Sequence, residues 1–279
     1  MKKIGFIDYY ISEWHANNYP VWIKEISAEL GLEFEVSYAY AELEVSPVDQ
    51  VTTDEWCAKM GVERCFSMAE LCEKSDFICI LAPSNPEKHL EYCREAFKCG
   101  KRTYVDKTFA PDCATAKEIF ALGEKYSTEF FSTSALRYAD ELSELAEPKA
   151  LTVTGTGSNF EEYFIHIAEI CVKLMGTDIS AVSALPVGKE QTAVKVEFFS
   201  GRSASLVFAP GMPYSVCGEC EKNVYKRLES KYFMTLMKEM LSFFDGGKLP
   251  FKGEETLAVA RLREAAISSR NAGGCRIVF

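Results

Sequence analysis

The alternation of apolar and polar positions divides the chain into two regimes. In the first, residues 3–7 form a short β-rich run, and after a turn-like stretch Trp22, Ile23, Ile26 and Leu30 recur at helical spacing until Gly31 closes the pattern. Residues 33–39 alternate, with Phe34, Val36 and Tyr38 on one side. A short helix at 68–72 then leads into the continuous apolar run 77–82, which reads as a strand buried on both faces. Residues 86–100 are helical, with Leu90, Cys93, Ala96 and Phe97 on one side; 103–105 extend, and 112–126 are helical again. Strand and helix alternate, which predicts a doubly wound parallel sheet with helices on both faces.

After about residue 145 the rhythm changes. Residues 151–154, 181–185, 193–199 and 203–208 read as strands, with one helix, 161–174, among them. Two helices (232–244 and 254–269) and a final apolar strand (276–279) close the chain. The expected class is therefore α/β: a first domain over 1–130, and an α+β domain over 131–279 built on a mostly antiparallel open sheet, whose closing helix and strand can pack back on the first domain.

The chain has 279 residues, 48% hydrophobic and 26% charged, long and apolar enough to bury two cores. Its 41 acidic and 31 basic residues give a net charge of -10, which repels nucleic-acid backbones and anionic lipid. The uncharged apolar run 77–83 is too short to span a bilayer, and Asp8 and Ser12 interrupt any signal-peptide core. The eleven cysteines are scattered through helical and strand patterns, which points to a reducing cytoplasm.

Chemistry-bearing residues cluster in two places. Leu81-Ala82-Pro83, with Ser84 following, then His89, Gly100-Lys101 and Asp106-Lys107-Thr108 punctuate the strand ends of the first domain; Glu162, His166 and Glu169 share one face of a helix in the second. Together they resemble the Gfo/Idh/MocA superfamily of nicotinamide-dependent oxidoreductases over most of the chain, although Asp106 and Thr108 stand where that pattern has Glu and Pro. The resemblance implies a Rossmann-like nucleotide-binding domain and a substrate and dimerisation domain. It also implies hydride chemistry on a sugar, polyol or related hydroxy compound, with Lys107, His166 and Glu162 as the catalytic group. A buried lysine or a histidine takes the hydroxyl proton in such chemistry, and Glu162 would hold the imidazole or bind a substrate hydroxyl. Snorkelling of Lys107 and a satisfied amphipathic-face role for His166 stay open beside that reading. Arg137, Tyr138 and Glu169 fall at substrate-binding positions, and NAD or NADP is the implied cofactor. Tyr40, Pro83, Ser84, His89 and Lys107 fall at its binding positions.

The glycine loop is where this chain departs from the pattern. A dinucleotide needs Gly-x-Gly-x-x-Gly after the first strand, for the tight turn and for the close approach of pyrophosphate. Here the loop is Asp8, Tyr9, Tyr10, Ile11, Ser12 and Glu13, with Asp8, Tyr10 and Glu13 at the glycine positions. Like charge meets the phosphate, and a carboxylate can cap the helix in its place, so weak, shifted or absent dinucleotide binding is expected. Two activities follow as alternatives: an oxidoreductase, or a catalytically silent relative that binds a small ligand or partner. Trp14 and His15 open a polar, aromatic stretch through Pro20 that suits either a small-molecule pocket or an aromatic staple. Cys217-Gly218-Glu219-Cys220 lacks a second ligand pair for zinc and reads as two loop thiols. Self-association through the open sheet is expected, because exposed strands need covering.

Overall fold

In the computed structural model, which describes residues 1–279, the chain divides into two units: Met1–Thr133 with Met234–Phe251, and Ser134–Phe233 with Lys252–Phe279.

The first unit alternates strand and helix: β1 (Lys2–Asp8), α1 (Trp14–Glu29), β2 (Phe34–Ala41), α2 (Thr53–Met60), β3 (Glu63–Arg64), α3 (Met68–Lys74), β4 (Phe77–Ile80), α4 (Pro86–Ala96), β5 (Thr103–Val105), α5 (Cys113–Tyr126) and β6 (Phe130–Phe131). All six strands are parallel, in the order β3-β2-β1-β4-β5-β6. Ile78, Cys79 and Ile80 are fully buried, as a strand covered on both faces requires. Each such buried side chain contributes about 1.5–3 kcal/mol. The helices begin where polar side chains can take their orphan amides: Thr52 and Glu55 form a capping box on α2, and Ser67 and Asp112 cap α3 and α5. Gly5 lets α3 close on β1, since a Cβ there would lie 2.3 Å from Ser75 Oγ.

The second unit holds β7 (Ala150–Gly155), α6 (Phe160–Met175), β8 (Ile179–Pro186), β9 (Thr192–Phe198), β10 (Ser203–Phe208), β11 (Ser215–Glu219) and β12 (Asn223–Arg227). After α7 (Tyr232–Phe244) come α8 (Gly253–Asn271) and β13 (Ile277–Val278). Its sheet runs β12-β11-β7-β10-β9-β8-β13, antiparallel except for the β7–β10 pair. Alternating side chains of β7, β9 and β10 join the apolar faces of α6 and α8 in one core; the opposite face presents Thr152, Lys195 and Ser205.

Most of α7 belongs to the first unit. Phe244 stacks on Phe77 with centroids 4.9 Å apart, Met240 Sδ lies 3.8 Å from Cys79 Sγ, and Arg102 donates to the carbonyls of Phe243 and Gly247. Elements absent from the sequence reading are α2, β3, β6 and the β11–β12 hairpin. Cys217 and Gly218 lie within β11, so the reading of Cys217 as a loop thiol is corrected: an edge hairpin with polar, exposed positions leaves little apolar signal. No helix is long and apolar enough to cross a membrane.

Candidate functional site

In the first unit the strand order reverses direction at β1 and β4, the crevice where such sheets receive ligands at their carboxyl ends. Side chains of the chain itself fill it. Asp8, at the end of β1, is buried and accepts hydrogen bonds from the backbone N–H of Tyr9 at 2.7 Å and of Ala82 at 3.0 Å, bridging the two strand ends. Ala82 takes a left-handed conformation, φ 47°, as it presents that N–H. The second Asp8 oxygen has no hydrogen-bond partner. Burial, reinforced by the neighbouring Glu13, pushes the Asp8 carboxyl well above the usual range.

Glu13 is the N-cap of α1. Its carboxylate accepts from His15 N at 2.7 Å and from Ala16 N, the amides that a helix N-terminus would otherwise offer to an anion. Burial raises its pKa as well, against the opposing pull of His15 and the two amides. Ile11 and Ser12 are buried beside it, and Ser12 Oγ donates to Asp49 at 2.7 Å. The self-capped loop expected from the sequence is therefore observed.

His15 turns inward. Its Nδ1 stands 2.5 Å from Oδ2 of Asp106, just after β5, in a close polar contact off the line of an aligned hydrogen bond. Tyr104 donates to the other Asp106 oxygen at 2.9 Å. Burial by itself would raise the Asp106 carboxyl, but His15, Lys107 and Tyr104 outweigh it and hold it down at about 2. Tyr19 stacks on the imidazole with centroids 5.2 Å apart; Trp14, half exposed, meets it edge-on.

These residues do not fit a dinucleotide in the conventional pose. The α1 amides are taken by Glu13, and Asp8 and Glu13 place two buried carboxyls on the loop that would receive a pyrophosphate, with Asp106 close enough to act on both. Glu42, the residue after β2, is held by Lys88 at 2.6 Å and Tyr92 at 2.8 Å. Tyr9 lies under the Lys88 ammonium, and Tyr9 and Tyr10 meet edge-on. Tyr40, the last but one residue of β2, is half-buried, and Ser84 is exposed beside the half-buried Pro83. The expectation that His89 binds cofactor is corrected: it is fully buried, its ring nitrogens 2.7 Å from Leu81 O and 3.0 Å from Phe109 O, pinning two loops of the scaffold. Burial lowers its pKa. Lys107 is half-buried, with Nζ 3.4 Å from Pro83 O.

The second unit gathers a separate cluster around α6. His166 Nδ1 is hydrogen-bonded to Ser134 Oγ at 2.7 Å, and the rings of Tyr163 and Tyr214 stand 5.8 and 5.9 Å from the imidazole. Gly157 makes room for Tyr163, since a Cβ there would lie 2.1 Å from the ring. Tyr214 donates to Thr156 O at 2.7 Å; burial, with Tyr232 and Tyr163 adding, pushes its phenol up. The imidazole and hydroxyl can exchange protons with a polar ligand, and the rings supply apolar surface.

The other candidates on or beside this helix have partners of their own. Glu162 does not orient the imidazole through Nδ1, which Ser134 takes; its carboxylate accepts from Asn159 Nδ2 at 3.1 Å at the helix start. Arg137 and Glu169, read as substrate ligands, are buried and paired with each other at 3.1 Å, with Glu255 completing the network. Burial would lower the Arg137 guanidinium, but Glu169 and Glu255 more than offset it. The partly buried Tyr138 ring lies 6.0 Å from the Lys173 ammonium. Sequence reasoning missed Ser134, Tyr163 and Tyr214; the aromatics lie three residues before His166 and immediately before β11. No cluster of three or more His, Cys, Asp or Glu side chains is arranged to hold a metal ion.

No protein-family model and no curated protein matches the sequence. Solved structures do match its fold along the whole chain. One is a scyllo-inositol dehydrogenase from Lactobacillus casei with bound NAD(H) and scyllo-inositol, 13% identical, with a TM-score of 0.76 and covering 99% of this chain and 98% of its own. A UDP-N-acetylglucosamine 3-dehydrogenase from Acidithiobacillus ferrooxidans is 11% identical, with a TM-score of 0.77 and 98% coverage of both chains. GenD2 from gentamicin A biosynthesis, in complex with NAD, is 14% identical, with a TM-score of 0.78 and covering 100% of this chain and 97% of its own.

Proposed function

The chain has the fold of the Gfo/Idh/MocA-type oxidoreductases, and on that premise we propose that it is a relative whose dinucleotide crevice is closed by its own side chains and that binds a small polyhydroxylated molecule beside His166. The observation that carries this reading is the Glu13 carboxylate on the first amides of α1. A pyrophosphate would have to displace a buried, covalently tethered anion from the same donors. The similar proteins from Lactobacillus casei and Acidithiobacillus ferrooxidans act on a cyclitol and a sugar nucleotide, so cyclic polyols and sugars are the first ligands to try.

A second reading rests on Lys107, which follows β5 beside Asp106. In it the chain is an NAD- or NADP-dependent oxidoreductase with the nucleotide in a shifted pose, and Lys107, His166 and Glu162 handle the proton of a substrate hydroxyl.

Thermal-shift titration with NAD(H) and NADP(H) at millimolar concentration, confirmed by calorimetry, separates the two. A ligand at about 100 times its dissociation constant stabilises by roughly 2.7 kcal/mol. The first reading expects no shift with either nucleotide, together with a shift for a sugar or cyclitol that His166→Ala removes. A clear nucleotide shift establishes the second; Lys107→Met and His166→Ala should then each abolish turnover at nearly unchanged melting temperature.

The proposal extends to self-association through the exposed face of the second sheet. Register places Tyr225, Cys217, Thr152, Ser205, Lys195 and Ser183 in one row across it. Light scattering should find a dimer that Ser205→Arg dissociates; a strict monomer rejects the interface.

A further inference from the structure

Ser134 caps the 3-10 turn Ala135–Tyr138 and is buried, and its hydroxyl is bonded both to that turn and to α6. Oγ accepts from the backbone N–H of Leu136 at 3.3 Å and lies 2.7 Å from His166 Nδ1. Two further contacts seat the turn on the same helix: Arg137 pairs with Glu169 at 3.1 Å, and Lys173 donates to Arg137 O at 2.5 Å. Ser134 and Arg137 are three residues apart, as are His166 and Glu169, so turn and helix meet in register. The hydroxyl is held against the ring.

That hydroxyl decides which nitrogen carries the ring proton. A serine hydroxyl has one proton and two lone pairs. One lone pair takes the Leu136 N–H, and an oxygen polarised by accepting a bond donates its own proton more strongly. The 2.7 Å separation suits a hydroxyl donor, whereas an imidazole N–H reaching an oxygen stands at about 2.9–3.0 Å. The bonds therefore run from Leu136 N–H to Ser134 Oγ and from Ser134 O–H to His166 Nδ1. With Nδ1 accepting, a neutral imidazole holds its proton on Nε2.

We propose that Ser134 is a positioning residue that fixes the His166 proton on Nε2, so that the seat beside this ring selects an acceptor oxygen, a carbonyl over a hydroxyl. The ligand half rests on the reading that a small polyhydroxylated molecule binds there. A carbonyl oxygen takes the Nε2–H with no proton of its own to place; a hydroxyl in the same position must find a second acceptor or leave its proton unpaired. The rings of Tyr163 and Tyr214, 5.8 and 5.9 Å from the imidazole, flank it with apolar surface, and the Tyr214 hydroxyl is already turned to Thr156 O. The ligand class is a cyclic polyol oxidised at one carbon, and the imidazole offers it a bond instead of taking a hydroxyl proton.

The chain has three histidines, so nitrogen-15 NMR of the intact, histidine-labelled chain without an affinity tag reads His166 directly, its signals identified by their loss in His166→Ala. At mildly alkaline pH the expected spectrum has the proton on Nε2 and a bare Nδ1. Ser134→Ala should move proton onto Nδ1, and Ser134→Thr, which keeps the hydroxyl, should restore the parent pattern. In calorimetric titration the monoketone of myo-inositol should bind about tenfold more tightly than myo-inositol itself, and Ser134→Ala should level the two. A proton on Nδ1 in the parent chain overturns the role of Ser134, while binding of either compound would leave the polyol reading standing. Binding of the alcohol as tight as that of the ketone overturns the selectivity. Failure of both to bind overturns the ligand half together with the polyol reading, and the spectrum judges Ser134 by itself.

Discussion

The Nδ1 of His15 lies 2.5 Å from Oδ2 of Asp106, joining the first turn of α1 to the loop after β5 inside a crevice that already holds the carboxyls of Asp8 and Glu13. His15 and Asp106 are almost fully buried, 6% and 1% exposed, so water does little to screen the contact. Removing one partner of such a pair leaves the other uncompensated, and the cost falls on folding.

Asp106 should therefore show in the acid limb of stability. Its folded pKa of about 2 lies below the unfolded value of 3.8. A depressed carboxyl contributes stability that is present above the unfolded pKa and lost as pH falls through the folded one, here about 2 kcal/mol lost between about pH 4 and pH 2. Denaturant unfolding of Asp106→Asn at pH 7 and pH 3 should find it less stable at pH 7, with the gap shrinking toward pH 3. A constant gap would show that the carboxylate charge is irrelevant.

Asp8 works in the opposite sense. Its raised folded pKa means that its contribution is complete below the unfolded value and is lost as pH rises through the folded one. Asp8→Asn keeps an oxygen for the Tyr9 and Ala82 amides and removes the buried charge. It should gain on the order of 1 kcal/mol at pH 8 relative to the parent, and nothing near pH 4. Melting temperatures of the two chains that stay parallel from pH 4 to pH 8 would contradict this.

Glu13→Ala strips the cap from α1. Loss of an N-cap costs about 1 kcal/mol, readable as a shift in the urea midpoint without a change in slope. The same variant frees the His15 and Ala16 amides for anions. Phosphate should stabilise it more than it stabilises the parent chain, and equal stabilisation would mean that the cap is not what keeps anions out.

Arg137 stands between Glu169 and Glu255, and Lys173 donates to its carbonyl at 2.5 Å. Arg137→Met leaves Glu169 buried without its counter-ion and should cost about 3–5 kcal/mol. Arg137→Met with Glu169→Leu should recover much of that loss; a double variant as unstable as the single would place the cost elsewhere.

Much of the fold was legible because its signals are local. The boundaries of β5 at 103–105 and of β10 at 203–208 coincide with their apolar runs, and α7 over 232–244 with its helical pattern. Helix α2 escaped notice because only Thr53, Trp56 and Cys57 of its side chains are buried, although Thr52 and Glu55 carried a capping-box signal that marks its start. Glu13 was readable as a cap for the same reason: it reaches amides two and three residues ahead.

The sequence by itself determined the succession of elements, the change from parallel to mostly antiparallel pairing and the absence of open glycine backbone after β1, because each depends on neighbours within a turn or a strand. Only the tertiary structure decided that Asp8 reaches Ala82, that Asp106 holds His15, that Ser134 rather than Glu162 takes His166 Nδ1, and that Arg137 and Glu169 serve each other. These partners lie far apart in sequence. Strand order and helix packing bring them to one place, and burial there makes a polar group take whichever partner lies within reach.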